Sequence, residues 1–149
     1  MYICSSLMGN RLSGQFPTTL TRMTTLLELN IEANRFSGPI PKEIANLKNL
    51  DKLRICDNNF TGKIPNFISQ WTQIWRLHIQ GCSFEGPLPL SISALTQLKD
   101  LRISDLIGGA STFPSLEKMP HLSTLVLRNC LIRGTIPNYF RDMVNLSTM

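Results

Sequence analysis

The stretch Asn58-Asn59-Phe60-Thr61-Gly62-Lys63-Ile64-Pro65 follows an apolar run, Leu50-x-x-Leu53-x-Ile55, and near copies of the pair stand before and after it at a fixed spacing of 24 residues. The position of Asn58 is held by Asn10 and Asn34 upstream and by Cys82, Leu106 and Cys130 downstream, without slippage. A leucine pattern with a period in the twenties is the signature of a solenoid, in which each repeat buries its apolar face only against its neighbours. The 149 residues therefore form a stack of repeats and not a closed globule.

Each phase has a physical reason. In Leu53-Arg54-Ile55 the alternation of a strand points Leu53 and Ile55 inward and sends Lys52, Arg54 and Cys56 to the opposite face. Successive copies then pair as a parallel sheet. The asparagine turns inward, where its amide both donates to and accepts from backbone groups that would otherwise be buried unpaired. Asn10, Asn34 and Asn58 fill this ladder position, Cys82 and Cys130 substitute as small residues with a weak donor, and Leu106 makes no bond at all. Phe36, Phe60 and Phe84 are expected to stack as a column, the glycine after them to permit a tight turn, and Ile-Pro to hold an extended surface segment.

The first unit enters inside a strand, with Tyr2, Ser5, Leu7 and Asn10 at the phases of Leu50, Leu53, Ile55 and Asn58, and the last stops at Leu146-x-x-Met149 inside another. Repeats two, three, four and six are regular. Repeat five keeps Leu98, Leu101 and Ile103 but has Gly108 at the phenylalanine phase and Ala110 at the glycine phase, and its Phe113-Pro114 pair comes one residue late. Its loop, Leu106 to Pro114, reads equally as a contact site and as a drifted repeat.

Composition narrows the function. No apolar run approaches the roughly 18 residues of a membrane span, and Met1 to Asn10 lacks the basic flank and apolar core of a secretory signal. The net charge of +5 is spread through the repeats without clustered aromatics, which argues against nucleic acid. Cys4, Cys56, Cys82 and Cys130 have no metal-type spacing. Cys82 and Cys130 are two repeats apart, roughly 10 Å across neighbouring strands, beyond the roughly 7 Å that a disulfide tolerates, so both are expected to be free thiols. No nucleotide-binding, kinase or serine-hydrolase motif is present, His78 and His121 have no nucleophile beside them, and Gly108-Gly109-Ala110-Ser111 lacks the lysine of a phosphate loop. No catalytic residue, cofactor or metal site is expected.

Leu50 to Pro65 matches L-x-x-L-x-L-x-x-N-x-L/F-x-G-x-I-P at every marked phase, and the chain resembles the plant-specific class of extracellular leucine-rich repeats over essentially its whole length. Asp57 to Pro65, Leu101 to Leu106 and Leu125 to Ile132 are similar to the repeat region of receptor-like serine/threonine kinases that carry a malectin-like domain. The resemblance implies a right-handed superhelical ectodomain at the cell surface, followed in the parent protein by a malectin-like domain, one membrane span and a cytoplasmic kinase. It also implies cysteine-paired caps, which this sequence does not show, so an interior or truncated piece is expected.

The expected fold over 1–149 is a solenoid of the α/β type, with a parallel concave sheet of five or six strands and 3₁₀ or extended convex segments. Its outward strand positions run Glu28, Asn30, Glu32; Lys52, Arg54, Cys56; Arg76, His78, Gln80; Asp100, Arg102, Ser104; and Thr124, Val126, Arg128. The candidate ligand-binding residues are Lys52, Arg54, Arg76, His78, Arg102 and Arg128, with Trp75 as an aromatic anchor. An acidic peptide, a partner or co-receptor ectodomain, or a carboxylate-bearing cell-wall sugar fits such a stripe. A purely structural reading has Lys52, Arg54 and Arg76 balancing Asp51, Asp57 and Asp100. Two sequons, Asn59-Phe60-Thr61 and Asn145-Leu146-Ser147, mark glycan acceptors in a secreted protein. The expected function is non-catalytic ligand recognition within a receptor-kinase ectodomain. A secreted inhibitor of cell-wall-degrading enzymes and a truncated product without independent function are the alternatives.

Overall fold

The computed structural model describes residues 4–149, so Tyr2 lies outside it. Among the described residues the strands are, in chain order, β1 (Cys4–Ser6), β2 (Ser13–Gln15), β3 (Glu28–Asn30), β4 (Arg35–Gly38), β5 (Lys52–Arg54), β6 (Asn59–Lys63), β7 (Arg76–Ile79), β8 (Ser83–Gly86), β9 (Asp100–Ser104), β10 (Ile107–Gly108) and β11 (Thr124–Arg128). The odd-numbered strands form a six-stranded sheet and the even-numbered strands a five-stranded one, each in neighbour order and parallel throughout.

The first sheet is the concave sheet, with a register of 24 residues: Leu29 pairs with Leu53, Leu53 with Leu77, Leu77 with Leu101 and Leu101 with Leu125. All five leucines are buried to 1% exposure or less. Removing each side chain from water contributes about 1.5–3 kcal/mol, and the columns of leucine and isoleucine supply most of the core.

The second sheet runs through the glycine phase, where the sequence indicates only a tight turn, and the Ile-Pro pairs after it are extended as expected. Its register is 22 residues, so Gly38 stands opposite Phe60 and Gly62 opposite Phe84. Phe60 stacks on Phe36 at 6.3 Å and on Phe84 at 6.2 Å, and all three are at most 4% exposed. Exposed polar residues alternate with them, as Asn59, Thr61 and Lys63 do around Phe60. Strand pairing has no clear sequence sign here, because a short stretch containing glycine and leading into proline reads as a turn.

Beyond the second sheet, Pro17, Pro41, Pro65, Pro89 and Pro137 each precede a 3₁₀ turn, over Thr18–Arg22, Lys42–Asn46, Asn66–Gln70, Leu90–Ala94 and Asn138–Asp142. Proline fixes φ for entry, and its missing N–H is an orphan at that point in any case. Repeat five has no such turn. Pro114 leaves only Ser115 before buried Leu116, one residue fewer than between Pro89 and Ile92.

The asparagine position bonds across repeats. Asn34 Nδ2 donates to Leu7 O at 2.8 Å, and Asn58 Nδ2 to Ile31 O at 3.0 Å, while Asn58 Oδ1 accepts from Phe36 N. Cys82 and Cys130 make the corresponding thiol bonds to Ile55 O and Ile103 O, both at 3.4 Å. Leu106, 2% exposed, fills its slot with hydrocarbon alone. Asn10 departs from the inward role: it is exposed, and among the described residues it bonds to Leu7 O and Met8 O within its own repeat.

Just before this column runs one that the sequence reading missed. Gly9, Ala33, Asp57, Gly81, Asp105 and Asn129, spaced by 24, all have positive φ. Glycine, aspartate and asparagine tolerate that region best, and they fill five of these six positions, a signal that was legible. Gly86 departs from the tight-turn expectation, since its φ is not left-handed. A Cβ there would stand 2.6 Å from the Gly109 carbonyl oxygen, so this glycine allows a close approach of the repeat-five loop.

Candidate functional site

Short strands set the geometry of the concave face. β5 ends at Arg54, so the chain has turned by Cys56, which is buried to 4% exposure instead of facing outward. Burial pushes its thiol up to about 12. Asn30, Asp100 and Ser104, also placed outward by alternation, are buried to 5%, 7% and 1%. A parallel register aligns what remains: Asn30, Arg54, His78, Arg102 and Val126 form one row, and Glu28, Lys52, Arg76, Asp100 and Thr124 the row beside it.

Asp100 is the hub of this face, and it was absent from the candidate residues. Its carboxylate accepts from Arg76 Nε at 3.1 Å and from Arg102 Nε at 2.9 Å, and His78 Nε2 stands 2.9 Å away. Burial alone would raise the Asp100 carboxyl, but its contacts with Arg102 and His78 outweigh it and hold the group below the usual carboxylate range. His78 is lowered, first by burial and further by Arg102 and Arg54, against the opposing pull of Asp100. The net effect favours the neutral imidazole. The sequence did hold a sign of the hub: Asp100 lies one register step from Arg76 and two residues from Arg102 in the same strand.

The other cations divide. Lys52 pairs with Glu28 at 2.9 Å, not with Asp51. Arg128, at the far end of the sheet, pairs with Asp105, whose carboxyl is pulled down to about 2 by Ser104, Arg128 and Asn129. The Trp75 ring is braced by Arg76 at 4.6 Å and Lys52 at 5.3 Å, so two cations already cover the expected aromatic anchor. Burial raises the Asp51 carboxyl beside them. The Arg54 side chain has no hydrogen bond or ion pair among the described residues, and its Nε is buried without a partner.

The sequons lie elsewhere. Asn59 is exposed at the start of β6 on the second sheet, with Thr61 on the same face. Asn145 is exposed too, but its Nδ2 donates to Pro120 O at 2.7 Å, as Asn49 Nδ2 does to Thr24 O four repeats earlier. Among the described residues no cluster of three His, Cys, Asp or Glu side chains is placed to hold a metal, and no helix is long and apolar enough to cross a membrane.

Comparison with known proteins follows the same periodicity. The Leucine Rich Repeat family model matches residues 25–47, 49–71 and 121–143. Those three repeats are matched as leucine-rich repeats. A probable LRR receptor-like serine/threonine-protein kinase of Arabidopsis thaliana is 51% identical over 51 residues, which is 34% of this chain and 5% of that protein. The solved Arabidopsis receptor kinase HAESA, in complex with the peptide hormone IDA and the co-receptor SERK1, superposes with a TM-score of 0.85 at 34% identity, covering 95% of this chain and 24% of that one. The BIR2 ectodomain from Arabidopsis thaliana gives a TM-score of 0.77 at 28% identity over 87% of this chain and 68% of that one. The chain thus resembles plant receptor ectodomains and spans a small part of the curated kinase relative.

Proposed function

We propose that this chain is the ligand-recognition segment of a plant receptor-like kinase ectodomain, without catalysis of its own, and that it takes a peptide or protein partner on its concave sheet at the cell exterior. The observation that carries this reading is the polar row Asn30–Arg54–His78–Arg102, held in register across four strands beside the braced Trp75. Plant ectodomains of the same architecture, HAESA among them, have been solved with a peptide hormone bound. Lys52, Arg54, Trp75, Arg76, His78, Arg102 and Arg128 form the proposed face, and the exposed Asn59 is the proposed glycan acceptor.

The hub changes how the face should be tested. Reversing Arg76 and Arg102 to glutamate would set two new carboxylates against the buried Asp100 and disturb the sheet itself. A bulky neutral residue blocks the surface with less damage. Seven-residue peptides selected from a display library should lose binding to Val126→Trp, in the row beside Arg102, and retain it with Asn66→Trp on an exposed 3₁₀ position. Selected peptides sensitive only to Asn66→Trp would remove the concave-face reading.

A further inference from the structure

The ion pairs of the concave face divide its cations unequally. Arg76 and Arg102 are both bonded to Asp100, Lys52 to Glu28, and Arg128 to Asp105, each within 3.1 Å. Arg54 alone among these five cations has no acidic partner among the described residues. Its Nε is buried and unbonded, whereas its Nη atoms, which make no hydrogen bond either, are not among the buried atoms and so reach solvent. In register it lies between the Asn30 amide and the His78 imidazole, so no neighbouring strand offers it an anion at that level. Glu32, beyond the end of β3, Asp51, beside Trp75, and Asp57, three residues further along the chain, are acids not yet placed, and none is within ion-pair distance of it.

We propose that Arg54 is the anchor of the recognition face and that it binds one side-chain carboxylate, of an aspartate or glutamate, in an otherwise uncharged extended peptide. This rests on the concave-face reading above. A planar guanidinium with two free Nη groups matches a carboxylate end-on with two parallel bonds. The same inventory disfavours a polyuronate or other polyanion, which needs several uncommitted cations at regular spacing and would meet only one here. The Arg54 side chain also makes no bond that holds the fold, and its backbone bond to Ile31 N survives substitution, so a change there leaves the sheet intact.

The test is a double-substitution cycle. Peptides are selected on the intact chain from a seven-residue display library at about 0.15 M salt, where long-range attraction is screened beyond roughly 8 Å. Each is expected to carry a single acidic residue. A synthetic copy should bind the Arg54→Gln chain roughly 10- to 100-fold more weakly, the range for loss of a charge-assisted hydrogen bond. The copy with that acid replaced by its amide should lose the same factor on the intact chain and nothing more on Arg54→Gln, while Arg54→Lys should restore part of the binding. Losses that simply add, or selected peptides without an acid, overturn the proposal. A trigalacturonate that binds in an Arg54-dependent way more tightly than the peptides also overturns it. Peptides blocked by Val126→Trp but indifferent to Arg54→Gln would remove the anchor and leave the recognition face standing.

Discussion

Asn58 Nδ2 stands 3.0 Å from the carbonyl oxygen of Ile31, one repeat earlier, and the same amide also donates to Ile55 O and Cys56 O. One side chain thus satisfies carbonyls of two successive turns where water is excluded. Replacing it with leucine strands the Phe36 N–H and takes one donor from each of these carbonyls, which keep Asn34 Nδ2, Cys82 Sγ and Ala33 N respectively, at a cost of about 1–3 kcal/mol. Asn58→Cys should cost clearly less, because Cys82 keeps the cross-repeat bond with a thiol. The urea midpoint of each variant, at constant slope, checks the order.

The column of Phe36, Phe60 and Phe84 is continuous, and Phe60 has a ring on both sides. Phe60→Ala should destabilise by about 3–5 kcal/mol, and Phe60→Leu by about 1 kcal/mol, since leucine refills most of the volume but loses the stacking. Thermal melting of both variants by circular dichroism reads this.

Both the period and the core are legible in the amino-acid sequence, because leucine columns in register leave no freedom in pairing. The site is legible there only as a set of outward positions. Alternation could not show that Asp100 sinks to 7% exposure and collects three cationic or titratable partners, nor that Cys56 falls past the end of its strand. Both follow from where short strands end and from which side chains reach across neighbouring strands. The 22-residue register of the second sheet is hidden for a different reason: its stretches are rich in turn-forming residues, and backbone pairing alone makes them strands.

His78 supplies a pH dependence. Its folded pKa lies below the ordinary histidine value of 6.5, mainly through burial. The unfolded chain therefore binds the proton more readily, and the stabilisation, complete above 6.5, is lost as pH falls through the lowered folded value. Melting temperature should drop on acidification from pH 7 to 5, and His78→Gln should flatten that step. In the carboxylate range Asp100, lowered, and Asp51, raised, act in opposite directions, so the histidine step is the clean one.

Cys56 and Cys130, raised by burial to about 12 and about 11, and the buried Cys82 should resist alkylation in the native chain at pH 8. Peptide mapping after iodoacetamide should find these three unlabelled without denaturant and fully labelled in guanidinium. Native labelling at Cys82 or Cys130 would mean that the ladder position opens.

Gly86 should not tolerate a side chain. Its Cβ would meet a backbone carbonyl, Gly109 O, which cannot swing aside as a side chain would. Gly86→Ala is expected to cost about 1–3 kcal/mol by overpacking, with faster amide exchange in the loop from Leu106 to Pro114 as the local readout.

Recognition on the concave sheet is tested most directly by photo-crosslinking. A library-selected peptide carrying a diazirine residue is irradiated on the intact chain and the labelled residues are mapped. Labels on β5, β7 and β9, around Arg54, His78 and Arg102, are the predicted result. Labels concentrated on the 3₁₀ turns or on the exposed face of the second sheet around Asn59 would contradict it.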